Sequence, residues 1–177
     1  MHNKPLITSR QSLKKLLQVT EWKEYKLESI FIIKKGKRLI SDEQTAGETP
    51  YIGAIDSNNG VANYIGQRPI HDGNTISLSY NGSVGEAFYQ SQAYWATDDV
   101  NALYFRKSNH YNFNKYIALF ICTVLGKEKY RFSYGRKWTL DNMNKSIIKL
   151  PSCADGTPNW KWMEDYIKTL PMAEHLI

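Results

Sequence analysis

The chain has 177 residues, a formal net charge of +6, an aromatic share of 13% with twelve Tyr and five Trp, and two Cys. This length suits one domain with a real core, the two scattered cysteines exclude a disulfide scaffold and point to a reducing cytoplasm, and the positive balance favours polyanionic partners. No apolar run approaches the roughly 20 residues that span a bilayer, and the opening MHNKPLITSR lacks the apolar centre of a signal peptide, so no membrane partner is expected.

Residues 1–20 read as a basic lead-in, in which SLKKLLQV predicts a short helix with Leu13, Leu16 and Leu17 on one face. From Trp22 the segment WKEYKLESIFIIKKGKRL reads as strand, tight turn and strand, with Phe31, Ile32 and Ile33 buried. A polar loop, ISDEQTAGETP, leads to a short strand, YIGAID. Asn59-Gly60 then supplies the positive φ angles of a type I′ hairpin turn. Asp72-Gly73 marks another turn, followed by a strand in which Ile76, Leu78 and Tyr80 alternate with polar residues, and AYWATDDVNALYFRK adds one or two more strands.

The second half turns helical. Ile117, Phe120, Ile121 and Val124 recur at helical spacing, with Gly126 as the stop signal. YRFSYGRKW is a polar-aromatic loop, TLDNMNKS a short helix opening at Thr139, and IIKLP a buried strand ended by Pro151. Thr157 then caps a terminal helix with Pro158 in its first turn. The expected class is α+β: a small twisted, mostly antiparallel or mixed β region with flanking helices.

TISLSYNGSVGEAFYQ, with Gly82 and Gly85 three apart, raises the question of a phosphate loop. Such a loop needs a helix immediately behind it, whose amides point at the anion. Here the residues that follow alternate and are rich in aromatics, so Asn81-Gly82 fits a hairpin tip and Gly85 a bulge or close backbone approach.

Other enzyme constellations are equally thin. His2, His71, His110 and His175 show no metal-ligand spacing, and Cys122 has no identifiable partner. The Glu-x-Lys pairs Glu21/Lys23 and Glu24/Lys26 lack the upstream Asp of a metal-dependent nuclease and read as a solvated strand face; Asp98-Asp99 reads as a turn or a cation ligand. No catalytic residue, metal or cofactor is assigned to this chain.

Charge and amides cluster instead. Lys34, Lys35, Lys37 and Arg38 surround Gly36, and Arg136 and Lys137 lie between aromatic rings. Cations on loops neutralise phosphates, whereas base edges are read by Arg on guanine and by Asn or Gln on adenine. Asn58, Asn59, Asn63, Gln67, Asn81 and Gln90 in or beside the turns supply that repertoire, although Asn is also simply a turn former.

The order of YKLESIFIIKKGK, TPYIGAIDSNNGV, GNTISLSYNGSVGEAFYQ, KYRFSYGRKWTLDNM, IIKLP and DGTPNWKWMEDYIKTL resembles the target recognition domain of type I restriction-modification specificity subunits. It is similar above all to the domains of type IIG and IIB (BcgI-like) enzymes. The resemblance covers about residues 20–170, with residues 21–170 as one recognition domain and 158–177 as a terminal helix that begins a spacer. It implies double-stranded DNA as partner, with contacts at Lys34, Lys35, Lys37, Arg38, Asn58, Asn59, Tyr80, Asn81, Ser83, Arg136 and Lys137. It also implies a role: reading one half of a split target for a methyltransferase subunit, and in restriction complexes a nuclease. The partner binds S-adenosylmethionine and methylates adenine, and a homodimer or second recognition domain completes the reader. Two alternatives stay open: a carbohydrate- or peptide-binding β module with Trp95, Trp138 and Tyr134 as platform, and a small metal-dependent nuclease using Asp98, Asp99 or the Glu-x-Lys pairs.

Overall fold

The computed structural model describes residues 18–132, 137–171 and 173–175. The expected helix at Leu13–Leu17 and the readings at Tyr134 and Arg136 lie outside them.

Among the described residues nine strands form three sheets. The central one has the order β2 (Phe31–Lys35), β8 (Val100–Phe105), β5 (Thr75–Ser79) and β6 (Ala87–Gln90), antiparallel throughout. Its register sets two opposite faces. Ile33, Leu103, Ile76 and Tyr89 line up across one face and belong to the main core with the helices. Lys34, Ala102, Ser77 and Phe88 line up across the other, which meets the second sheet. That second sheet joins β4 (Val61–Ile65) antiparallel to β3 (Thr49–Ile52), and β3 parallel to β7 (Trp95–Ala96). Its core is small: Ile52, Tyr94, Ala96, Val100 and Ala102.

Because a layer covers each face, all five residues of β5 are buried, including Thr75, Ser77 and Ser79. Buried hydroxyls must find partners, and those of Thr75 and Ser77 do. Gln90 Nε2 donates to Ser77 Oγ at 3.0 Å, and Thr75 Oγ1 lies 3.0 Å from Asp72 O and 3.2 Å from Tyr94 Oη. The alternation in the sequence therefore separates two buried faces, not an inner face from a wet one.

The segment expected as strand, turn and strand departs from that reading. β1 (Lys23–Lys26) pairs with the distant β9 (Ile147–Leu150), not with β2. Between β1 and β2 stands a single helical turn, α1 (Leu27–Ile30), whose i and i+3 residues Leu27 and Ile30 are both buried. Ile32, expected inside, is 44% exposed, because it lies opposite Tyr104 at the open edge of the sheet. Of the Glu-x-Lys pairs, Glu24 and Lys26 sit exposed on β1, where Glu24 lies 4.0 Å from Lys149, whereas Glu21 lies in the short turn before the strand.

The helices follow their caps more closely. α2 (Lys115–Lys127) opens at Asn114, whose side chain accepts from the amides of Tyr116 and Ile117, and it buries Ile117, Phe120, Ile121 and Leu125. Gly126 does not end it: the helix runs on to Lys127 and continues as a tighter turn, Glu128–Arg131. α3 (Leu140–Lys145) opens at Thr139 as expected. α4 (Trp160–Lys168) is capped by Asn159 rather than Thr157; Thr157 instead donates to Asp155 Oδ1 at 2.7 Å. Trp162 stacks on Tyr166 and meets Phe120 edge-on, which locks α4 against α2.

Candidate nucleic-acid interface

The cationic run KKGKR leaves the end of β2 and crosses from the central sheet to the second one. Gly36 N donates to Val100 O at 3.0 Å and Lys37 N to Ala96 O at 2.9 Å. The crossing is so close that a Cβ on Gly36 would lie 2.0 Å from Thr97 O. Trp95 Nε1 closes the strap by donating to Lys37 O at 2.8 Å. Lys35, Lys37 and Arg38 are held exposed along it. Lys34 falls on the opposite face of β2, with its ammonium 4.0 Å from the centre of the Tyr104 ring.

Beneath the strap, Thr97, Asp98 and Asp99 form the turn into β8. Asp98 faces Arg38 at 3.7 Å. Asp99 O accepts from Tyr80 N at 3.0 Å, which ties in the β5–β6 hairpin tip. That tip is built as the Asn-Gly dipeptide suggests: Gly82 and Gly85 both have positive φ, 67° and 82°. Gly85 N returns to Ser79 O at 2.9 Å. Ser83 N reaches Ala54 O at 3.4 Å, so residues 53–60, which join β3 to β4, lie beside the tip.

Asn58 and Asn59 both adopt left-handed backbone, so the connection is a longer left-handed run than a two-residue type I′ turn. Their amides are used within the chain: Asn58 Nδ2 donates to Val61 O at 2.8 Å and Asn59 Nδ2 to Tyr89 O at 3.0 Å. Gln90, Gln67 and Asn63 likewise brace loops, on Asn59 O, Glu43 O and Gln44 Oε1. These carboxamides hold the loops in shape. Tyr80, Asn81 and Ser83 are half-buried at the tip, and Asn81 Nδ2 donates to Asp99 Oδ1 at 2.9 Å.

Strap, tip, turn and the 53–60 connection thus share one rim of the double sheet. The flanks of residues 133–136 are anchored nearby. On one side Lys129 pairs with Glu86, and its side chain packs over Gly85. On the other, Trp138 is fully buried, stacks on Phe132 at 4.6 Å and donates to Ser146 Oγ at 2.7 Å. Lys137 is exposed beside it.

The rival sites do not assemble. Trp138 is 0% and Trp95 8% exposed, so neither offers a face to a sugar. Among the described residues no group of three His, Cys, Asp or Glu could hold a metal ion. Burial pushes the Cys122 thiol well up, away from the thiolate a nucleophile needs. His71, wedged between the sheets at 3.3 Å from Tyr104 Oη, is pulled below its ordinary pKa by burial and then by Lys34, which keeps the ring neutral. An apolar groove of about 580 Å³ does exist on the helical side, between α2, α4 and the β1–β9 ribbon, but it carries none of the loops above. Among the described residues no helix is long and apolar enough to cross a membrane.

A three-layer α+β body with cations and amides gathered on loops at one rim is the form of a recognition domain. This chain belongs to the type I restriction modification DNA specificity domain family, whose model matches residues 20–177. It is 38% identical over 162 residues to the specificity subunit S.BcgI of a type II restriction enzyme from Heyndrickxia coagulans, covering 91% of this chain and 46% of that protein. Its fold is similar to the type I S subunit from M. genitalium, with a TM-score of 0.63 and 22% identity over 93% of this chain and 42% of that one. It is also similar to the HsdS subunit from Thermoanaerobacter tengcongensis, with a TM-score of 0.60 and 15% identity over 87% and 37%. The chain spans less than half the length of each of these relatives.

Proposed function

We infer that this chain is the DNA-reading module of a restriction-modification system, recognising one half of a split target and directing a partner that modifies adenine. Residues 21–170 are the recognition domain, the helix Trp160–Lys168 leads towards a spacer, and a second recognition domain supplies the other half. Chemistry and S-adenosylmethionine belong to the methyltransferase partner, with a restriction subunit where cleavage accompanies modification. The observation that carries this reading is the convergence of the Lys35–Arg38 strap, the Tyr80–Ser83 tip and the Asp98-Asp99 turn on one rim, in a chain of this family.

In this reading Lys35, Lys37, Arg38 and Lys137 take the phosphates, joined by Lys34 and Arg136. The tip enters the groove, and Asn58 and Asn59 shape the neighbouring wall. Phosphate contacts give affinity that falls with salt and is blind to sequence. Replacing Lys35, Lys37 and Arg38 together by Ala should weaken binding to all duplexes alike and flatten the slope of log K against log salt by about 3, roughly one per lost contact. The Arg38–Asp98 pair is exposed and loose, so its loss costs little stability. Fluorescence anisotropy across a salt series reads the slope; a slope equal to that of the unaltered chain removes the strap from the interface.

A further inference from the structure

The carboxamide of Asn81 stands in an unusual relation to its neighbour. Its nitrogen donates to Asp99 Oδ1 at 2.9 Å, and among the described residues it has no other partner. An ionised carboxylate can only accept, so Asp99 settles which way the amide faces: the NH2 group must point towards it. One N–H is then taken. The second N–H and the Oδ1 atom remain without a partner among the described residues, on a half-buried side chain at the hairpin tip. Asp99 is itself fixed, because its carbonyl accepts from Tyr80 N at 3.0 Å and its turn abuts the strap at Gly36.

A carboxamide with one free N–H beside a free oxygen is complementary to the major-groove edge of adenine, accepting from N6–H and donating to N7. That edge needs only the N–H beside the amide oxygen, so the contact with Asp99 calls on no more than the other one. We propose that Asn81 reads an adenine in the target and that Asp99 is its positioning residue. The proposal rests on the DNA-reading function above and adds the base class and the device that orients the reader. Fixing the amide beforehand removes the flipped state, which presents acceptor and donor in the wrong order, and so favours adenine over other bases without adding phosphate contacts.

The test uses the full chain and the duplexes it selects from a random pool, made with adenine or 7-deazaadenine, which lacks the N7 acceptor, at each A·T position. For the unaltered chain, one position should lose roughly 10-fold in affinity on the deaza substitution, the scale of a bidentate base contact. Asn81→Ala should lose its adenine preference at that same position, become indifferent to 7-deazaadenine there, and keep its salt slope. Asp99→Asn, whose carboxamide can donate as well as accept, should relax the same position alone. Deaza sensitivity that survives in Asn81→Ala, or a full adenine preference in folded Asp99→Asn, overturns the proposal. Asn81→Ala decides the matter if Asp99→Asn fails to fold. A selected motif with no Asn81-dependent adenine sinks this inference and leaves the DNA-reading function standing; a pool that yields no motif removes both.

Discussion

Trp138→Ala is expected to cost roughly 4 kcal/mol of stability, the range for truncating a fully buried large aromatic. In a chain of this length that is a fall in melting temperature on the order of 10 °C. The ring is 0% exposed and lies parallel to Phe132 at 4.6 Å and 11°. Its Nε1 donates to Ser146 Oγ, which also donates to Asn142 O, the last turn of α3. Ser146 O in turn accepts from Leu27 N at 2.8 Å, at the start of α1. The residue therefore joins α3, the turn after α2 and the helical turn between β1 and β2. Trp138→Phe keeps most of the packing but removes the indole bond to Ser146 Oγ, which keeps only its donation to Asn142 O, and should cost about 1–2 kcal/mol. Urea midpoints of the two variants check the ladder. If Trp138→Ala melts like the parent, the ring is a surface platform and the burial described here is wrong.

Gly36→Ala should cost about 3 kcal/mol, at the upper end of overpacking effects, and should weaken DNA binding along with stability. The added methyl would sit 2.0 Å from Thr97 O, 2.6 Å from Val100 O and 2.7 Å from Ala96 O. All three are backbone carbonyls of the turn under the strap, and two of them accept the hydrogen bonds that hold the strap down. None can rotate away as a side chain would, so relief requires lifting Lys37 and Arg38 from their seats. Gly126→Ala is the matched control. It lies inside α2 with nothing within 4 Å of the new methyl, so it should stabilise by about 1 kcal/mol through helix propensity. Thermal melts of both variants should therefore move in opposite directions. Equal shifts would show that Gly36 is no tighter than a helix-surface glycine.

How much of this was legible in the sequence depends on distance along the chain. Local signals held. Thr139 caps the helix it precedes, and Asn81-Gly82 makes a hairpin tip. Some local readings slipped by a residue or two, as the cap expected at Thr157 falls at Asn159, but the larger failures needed a distant partner. β1 pairs with β9 across more than a hundred residues, and nothing in YKLES announces that. Ser77 and Thr75 look like the wet side of a strand until a second sheet is laid over them. Gly126 looks like a stop because glycine favours left-handed helix ends, but the apolar contacts of Leu125 and the following turn carry the helix past it.

The candidate site shows the same division. The cluster of Lys35, Lys37 and Arg38 is visible as a run of letters. That it crosses between two sheets depends on Gly36 fitting against Thr97, which no local pattern reveals. Asn58 and Asn59 look like base readers, yet their amides stabilise a left-handed run, the ordinary work of asparagine in turns. Asp99 looks like a turn residue or a cation ligand, and its contact with Asn81 appears only when the β5–β6 tip folds back onto the turn before β8. Trp138 sits in a polar-aromatic string beside Arg136 and Lys137 and reads as exposed, but its neighbours in space are Phe132 and Ser146.

Selection of bound duplexes from a random pool by the full chain, at moderate salt, tests the central claim most directly. On the proposed reading, a rim that joins exposed cations to a carboxamide held by Asp99 should enrich one short motif, bound well above its scrambled version and above heparin-competed background. Uniform retention of the whole pool, with no base enriched at any position, would contradict it.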